Sequence, residues 1–448
     1  MSSEELTSVK EIETDTKALN TLLSRINSRE AQVVVMGLGF VGLPMAVEIA
    51  EAGFPVVGLD VDDEKVAQLR SGLAVDGEIS VALAGLIDSG SISFTTDARA
   101  INQADVALIC VPVPITRSYR PDLRYLKQAG RTIAKHMGKP KLISLESTSP
   151  PGATRDVLMP LLQARGAKVG EDFFLAFAPE RIDIGNTTYH LKNIPRLVTG
   201  ITDNCRQCAY SFYSAFVDEV RRVSSPEVAE MAKVVENAFR FININFVNEL
   251  ALLCDRMGVS VWDVIDAAAS KPFAFMPHYP GPGVGGECIP VVPYFLTSKA
   301  RDVGTPSNLV RDAGAINEMM PRFVVEKLER HLDSGGGLKG CRVLILGVTY
   351  KPGVADMRRS PALAVISLFQ ERGAQVRYHD PFVPQLATDG LDLQSVDLTP
   401  EVLRWADAVV VTTPHKGVDY QSVVDNSKLV FDTRNALANF RNSNIIRL

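Results

Sequence analysis

Cysteine is scarce in this chain of 448 residues: there are six, two of them, Cys205 and Cys208, in a lone C-x-x-C. That is no disulfide framework. With no second pair at zinc spacing and no redox-type surroundings, Cys205 and Cys208 read as packing or surface thiols, and no metal site is expected. An excess of one charge is also lacking. Lys and Arg number 47 against 52 Asp and Glu, so nothing draws the whole chain to nucleic acid or to an anionic membrane. The longest strongly apolar stretch, Val33 to Val47, covers 15 residues and is interrupted by glycines. A membrane span needs roughly 20. The opening residues Ser2, Ser3, Glu4 and Glu5 are the opposite of a positively charged secretion signal, so the expected location is the cytoplasm. Hydrophobic residues at 46% and charged residues at 22% exclude dominant disorder.

What remains is a large globular chain, long enough for about three domains of ~150 residues. Residues 1–30 read as a polar helical extension, with Leu19, Leu22, Leu23 and Ile26 at helical spacing on one face, suited to lie on a neighbouring surface. A buried strand, Gln32–Met36, runs into Gly37-Leu38-Gly39-Phe40-Val41-Gly42 and then a helical stretch to Ala52. A second strand, Phe54–Leu59, ends at Asp60. Further strands are predicted at 106–111, 141–146 and 173–177, alternating with helices, which implies a parallel sheet covered on both faces. Pro226 to Met257 reads as one long helix, Val261 to Ala269 as a shorter one, and 271–290 as a Pro- and Gly-rich loop with defined turns. Helical periodicity then resumes to about Leu332. After a break at Ser334–Gly337 the strand–turn–helix pattern repeats, with strands at 342–346, 375–378, 408–412 and 429–431 and a helix at 361–372. The expected fold is α/β: two Rossmann-like domains joined by a helical core. Its parts are the extension 1–30, a dinucleotide domain 31–215, a central helical domain 216–333 carrying the Gly-rich loop, and a second Rossmann-like domain 334–448.

The first G-x-G-x-x-G has the context that gives the pattern meaning: a strand before it, a helix after it, and Asp60 at the end of the next strand. Gly37 allows the tight turn, Gly39 lets the backbone approach a pyrophosphate, and Gly42 lets helix and strand pack closely. A carboxylate at Asp60 suits the ribose diol of NAD and repels the 2′-phosphate of NADP. The second half has no such motif after Gly347. Its Lys351 and Arg358 suit a phosphate-bearing ligand, or form a solvated basic turn.

Cys288 lies in Gly281-Pro-Gly283-Val-Gly285-Gly-Glu287-Cys288-Ile-Pro290. A thiol in so open a loop, in a chain that binds a hydride acceptor, fits aldehyde oxidation through a thioester, although a plain packing cysteine is the other reading. Lys233 and Asn237, at i and i+4 on the long helix, share one face. That face is solvated by default. Glu180 and Arg181 follow a strand end, where α/β sites gather, or make a surface ion pair.

Taken in order, Gly37-Leu-Gly-Phe-Val-Gly-Leu-Pro44, Val111-Pro112-Val113-Pro114, Glu146-Ser-Thr148, Phe177-Ala-Pro-Glu-Arg181, Lys233-x-x-x-Asn237, Gly-Gly-Glu-Cys288 and Tyr350-Lys-Pro352 resemble the UDP-glucose/GDP-mannose dehydrogenase family over roughly residues 20–435. Arg120–Leu123, Val169–Phe174 and Lys271–Phe275 look most like its UDP-N-acetylglucosamine 6-dehydrogenases. The resemblance implies an NAD domain, a helical dimerisation core and a UDP-sugar domain. It also implies a four-electron oxidation of the sugar C6 alcohol to a carboxylate, with two NAD per UDP-sugar, in a homodimer or higher homo-oligomer.

By the same resemblance Cys288 is the nucleophile, Lys233 and Asn237 hold the developing oxyanion, and Glu180 and Thr148 serve water positioning and proton transfer. The cofactor falls to Gly37, Gly39, Phe40, Val41, Gly42, Asp60, Lys65, Pro112, Val113, Thr148 and Arg358. The substrate falls to Glu180, Arg181, Lys233, Asn237, Tyr279, Gly283, Gly285, Lys351 and Arg434. Four positions depart from the family pattern: Glu287 replaces a His, Val292 an Asp, Val113 a Thr and Arg359 a Glu. These departures leave room for a diverged member with altered or partial oxidation. A non-catalytic nucleotide-sugar-binding paralogue is the other alternative. A 6-phosphogluconate-like decarboxylating enzyme shares the general layout but not the second Rossmann half or the cysteine loop.

Overall fold

Short runs of valine, isoleucine, leucine and phenylalanine form the central strands, which are buried along their length, while strands nearer the edges alternate with polar residues. The computed structural model describes residues 17–74, 77–183, 185–186, 188–332, 337–388 and 390–448. The expected extension before Lys17 and most of the break at Ser334–Gly337 lie outside these residues. The chain divides into two compact units, Met1–Lys233 and Val234–Leu448, with the division falling inside the helix Pro226–Met257.

The first unit carries β1 (Val33–Met36), β2 (Val56–Leu59), β3 (Ile92–Thr95), β4 (Val106–Ile109), β5 (Leu142–Leu145), β6 (Phe174–Phe177), β7 (Arg196–Gly200) and β8 (Val220–Arg222) in one sheet. The strand order is 3-2-1-4-5-6-7-8. All neighbours are parallel except β6 and β7, with Val33 opposite both Val56 and Val106. Strands β1, β4, β5 and β6 are buried along their whole length, as strands covered on both faces must be. The helix Gly42–Glu51 buries Met45, Ala46, Ile49 and Ala50 against this sheet. Leu19, Leu22 and Ile26 of the helix Lys17–Asn27 join the same core beside the helix Asp203–Tyr213.

The second unit's sheet contains β9 (Arg342–Leu346) and β10 (Gln375–His379), then β13 (Ala408–Val411), β14 (Val430–Asp432) and β15 (Ile445–Arg447), all parallel in the order 10-9-13-14-15. Between β10 and β13 the antiparallel pair β11 (Gln385–Thr388) and β12 (Leu391–Gln394) stands apart from it. The remainder of the long helix packs with Val261–Ala269 and Asn308–His331 into a core shared with this sheet. Among the described residues, no helix is long and apolar enough to cross a membrane. None of the six cysteines is in a disulfide, and Cys205 and Cys208 are buried in the first core.

Candidate active site

In the first unit, β1 and β4 are neighbours whose following connections diverge, which opens a crevice at their C-terminal ends. Gly37 has φ +92°, and a Cβ there would meet the Cys110 carbonyl oxygen at 2.9 Å. Gly42 is tighter still, since a Cβ would lie 1.8 Å from the Gly37 oxygen. Gly39 is the reverse: nothing stands within 4 Å of the position its Cβ would take. The open backbone at Gly39 and the exposed Phe40 precede a helix whose cap residue, Val41, supplies no side-chain acceptor to the first turn. An uncapped N-terminus with an open approach is what a pyrophosphate needs. Pro112 and Val113 line the turn after β4, which Ser147 holds by donating to the Val111 oxygen at 2.6 Å.

Asp60 sits at the end of β2, almost buried. Its carboxylate accepts the Leu38 amide at 2.7 Å, the Asp62 amide at 3.1 Å and Lys65 Nζ at 3.1 Å. Burial pushes its pKa up, but these donors outweigh it and hold the group below the usual carboxylate range. It is therefore ionised and retains acceptor capacity for a ribose diol. Replacing Asp60 by serine is expected to lower the NAD-over-NADP ratio of kcat/KM by at least about tenfold, because charge repulsion of the 2′-phosphate goes with the carboxylate. Equal ratios in variant and parent would refute that role.

Thr148 and Glu180 stand at the ends of β5 and β6, half-buried. Glu180 accepts the Ile182 amide, and Arg181 donates to the Pro195 oxygen at 2.7 Å. Behind them lies a network the sequence did not single out. Buried Glu146 accepts from Tyr213 and pairs with Arg196, and the Ser144 and Tyr213 hydroxyls lie within hydrogen-bond distance of each other at 2.7 Å.

The long helix corrects one expectation. Lys233 and Asn237 do share a face, but it is not solvated: the two are 8% and 7% exposed. Asn237 Nδ2 is buried and has no hydrogen-bond partner in the protein, a costly condition unless a ligand oxygen meets it. One turn earlier, fully buried Glu230 accepts the Gly152 amide at 2.5 Å and both the amide and hydroxyl of Thr154. It thereby fastens the helix to the turn following Thr148. Burial raises the Glu230 pKa to about 7 against those three donors. A carboxyl whose folded pKa exceeds its unfolded value contributes stability below about pH 4.5 that is lost as pH rises through about 7, on the order of 3 kcal/mol. Melting temperatures of the first unit are therefore expected to fall between pH 5 and 7.5, and Glu230→Gln to flatten that slope. An unchanged slope would assign it elsewhere.

In the second unit, Cys288 is the one exposed cysteine of the six. Its loop is held from behind. Asn248 accepts the Gly281 amide at 3.0 Å and Asn317 the Val284 amide at 2.7 Å. Gly283 has φ +129°, and a Cβ at Gly285 would meet the Arg359 oxygen and Tyr350 Cβ, both at 2.7 Å. Arg434 donates to the Thr412 oxygen at 3.0 Å and to the Gly283 oxygen at 3.4 Å, and burial pushes its guanidinium down to about 10. Val292 is buried, and its amide donates to the Cys288 oxygen at 3.0 Å at the start of the helix Pro293–Asp302. Tyr279 is half-exposed and stacks on Trp262.

Arg358 is clamped by Asp356 through three hydrogen bonds of 2.6 to 3.1 Å; burial alone would depress its pKa, but the carboxylate raises it. Lys351 is half-buried in the same loop, its carbonyl accepting from the Thr349 hydroxyl at 3.0 Å. Asp380 holds the place in this sheet that Asp60 holds in the first. It accepts the Val348 amide at 2.7 Å, but it also binds His415 Nε2 at 3.0 Å.

Residues 31–217 match the NAD binding domain, 227–319 the central domain and 344–439 the UDP binding domain of the UDP-glucose/GDP-mannose dehydrogenase family. The chain belongs to this family of NAD-dependent nucleotide-sugar dehydrogenases. It is 35% identical to UDP-N-acetyl-D-mannosamine dehydrogenase of Pyrococcus horikoshii, over 91% of this chain and 96% of that protein. It is likewise 35% identical to UDP-N-acetyl-D-glucosamine 6-dehydrogenase of Pseudomonas aeruginosa, over 79% and 84%. The solved structure of the Pyrococcus horikoshii enzyme aligns with a TM-score of 0.83 at 33% identity, covering 93% of this chain and 98% of that one.

Proposed function

We propose that the chain oxidises the C6 hydroxyl of a UDP-N-acetylhexosamine to the uronic acid, with UDP-N-acetylglucosamine as the first substrate to test. The observation that carries this reading is Cys288: an exposed thiol in a glycine loop anchored by Asn248 and Asn317. The 35% identity to relatives named for the N-acetylglucosamine and N-acetylmannosamine nucleotides supports the acetamido sugar, and Lys271–Phe275 supports the former. The UDP part falls to the 334–448 domain, with Lys351 and Arg434 on its phosphates and Tyr279, Gly283 and Gly285 along the sugar.

The glycine turn, Asp60 and Lys65 would hold NAD+, which would supply the hydride acceptor for each of the two oxidations at C6. The protein's own groups do the rest. A base takes the C6 hydroxyl proton in the first oxidation, and the Cys288 thiolate adds to the resulting aldehyde carbon to give a thiohemiacetal. Lys233 and the unpartnered Asn237 Nδ2 stabilise the oxygen as its charge develops. The second oxidation leaves a thioester. Water, positioned by Glu180 and Thr148, adds to its carbonyl, the C–S bond breaks, and the thiolate returns with the carboxylate released.

A homodimer is part of the reading. Val235, Phe239, Phe246, Leu253 and Met257 leave one exposed apolar stripe along the long helix, of the kind a second copy covers. Incubation with NAD+ and UDP-N-acetylglucosamine, followed by mass spectrometry, is expected to yield two NADH per uronic acid. The mannosamine epimer, run in parallel, decides the C2 configuration. Binding of both ligands with no NADH from either sugar would overturn the reading in favour of a binding protein.

A further inference from the structure

Glu287 places a carboxylate next to the proposed nucleophile, where a negative charge opposes thiolate formation and weakens the nucleophile. The structure supplies an answer on the neighbouring loop. Arg359 Nε lies 3.6 Å from Glu287 Oε1, with both side chains partly exposed. Arg359 is held there by its backbone, being one of five non-glycine residues with positive φ among the described residues, at +51°. The loop that carries it is locked to the cysteine loop. The Gly286 amide donates to the Arg358 oxygen at 2.9 Å, and no side chain fits at Gly285 without striking the Arg359 carbonyl. Strained backbone retained beside a reactive group points to a positional requirement.

We infer that Arg359 is a positioning residue for the oxidation: it draws the Glu287 carboxylate into an ion pair, and so keeps Cys288 available as a thiolate. Both positions depart from the pattern that the resemblance implies, and the two residues found there carry opposite charges within contact of one another. Other titratable groups lie near the pair. Arg358 also feels Glu287, yet its guanidinium is committed to Asp356. Tyr350 and Lys351 lie on the same loop, and Arg434 is directed at Thr412 and Gly283. The inference rests on Cys288 being the nucleophile.

Alkylation of the full-length protein by iodoacetamide tests it, since the thiolate sulfur displaces iodide and the other five cysteines are buried. Peptide mass spectrometry identifies the labelled site. Arg359→Ala is expected to raise the midpoint of the rate–pH profile by about one unit. Below the midpoint the rate should fall about threefold, the tenfold loss of thiolate being partly offset by its greater nucleophilicity. Arg359→Lys should stay near the parent, and the double variant Glu287→Gln/Arg359→Gln should recover the parent profile. Glu287→Gln alone, which leaves Arg359 unopposed, should alkylate faster. A parental profile for Arg359→Ala, or a double variant as slow as the single one, overturns the inference. If the Arg359 variants do not fold, a Glu287→Gln rate at or below the parent does the same. This readout needs neither sugar nor turnover, so failure of the oxidation reading and failure of the pairing are seen in different experiments.

Discussion

Cys288→Ala is expected to lower uronic acid formation by a factor of at least about 10³ while leaving NAD+ affinity unchanged. The covalent route divides aldehyde oxidation into thiol addition, hydride loss and hydrolysis, and each depends on sulfur. Without it the chemistry has no acyl intermediate to hydrolyse, and NADH per sugar should fall from two toward one or none. Cys288→Ser should do little better, because a hydroxyl is a far weaker nucleophile than a thiolate near neutral pH. Product analysis by mass spectrometry, with NAD+ titrated separately, checks both halves. Acid produced at near-parental rate by either variant would remove Cys288 from the mechanism. No compensation from another thiol is expected: burial pushes the Cys110 thiol to about 12, and Cys205 and Cys208 are raised as well.

A second large effect separates architecture from ligand within one six-residue turn. At Gly42 an added methyl would sit 1.8 Å from the Gly37 backbone oxygen and 3.0 Å from both the Gly37 carbonyl carbon and Cys110 Cβ. Overpacking of flexible side chains costs about 1–3 kcal/mol, and a collision with fixed backbone lies beyond that range. Gly42→Ala should therefore unfold or markedly destabilise the NAD binding domain, with NAD+ binding lost as a consequence. At Gly39 the same methyl meets open space. Gly39→Ala should melt within a few degrees of the parent yet bind NAD+ about 10–100-fold more weakly, because its Cβ occupies the approach of the pyrophosphate. Calorimetry and NAD+ titration of the pair check this. A Gly39→Ala variant with parental affinity would mean that the phosphates lie elsewhere.

How much could be read without coordinates follows from where the information is local. Pro226–Met257 and Val261–Ala269 have the bounds expected from periodicity, since long amphipathic helices declare themselves within their own sequence. Strands β3, β7, β8, β11, β12 and β15 were not anticipated. Ile92–Thr95 alternates over only four residues, and the antiparallel β7 breaks the β–α rhythm on which the parallel sheet was inferred. The burial of Lys233 and Asn237 was likewise hidden, because helical spacing shows that two residues share a face but not what covers it. Glu230, Asn248 and Asn317 had a faint signal, being polar residues in otherwise apolar helical stretches. The partner of Glu287 had none: Arg359 lies 72 positions away, and only the folded chain brings them together.

The paired wiring of the two sheets carries a warning for reading other genomes. Leu38 donates to Asp60 in one sheet as Val348 does to Asp380 in the other, at 2.7 Å in both. A carboxylate at the end of the second strand is thus a fastener for the preceding glycine turn before it is a recognition element. In the second sheet His415 has claimed it, and a search keyed to that acidic residue alone would count two dinucleotide sites per polypeptide. What distinguishes the halves is the glycine spacing: Gly37, Gly39 and Gly42 follow β1 as a G-x-G-x-x-G, whereas the turn after β9 carries only Gly347 and, six residues on, Gly353.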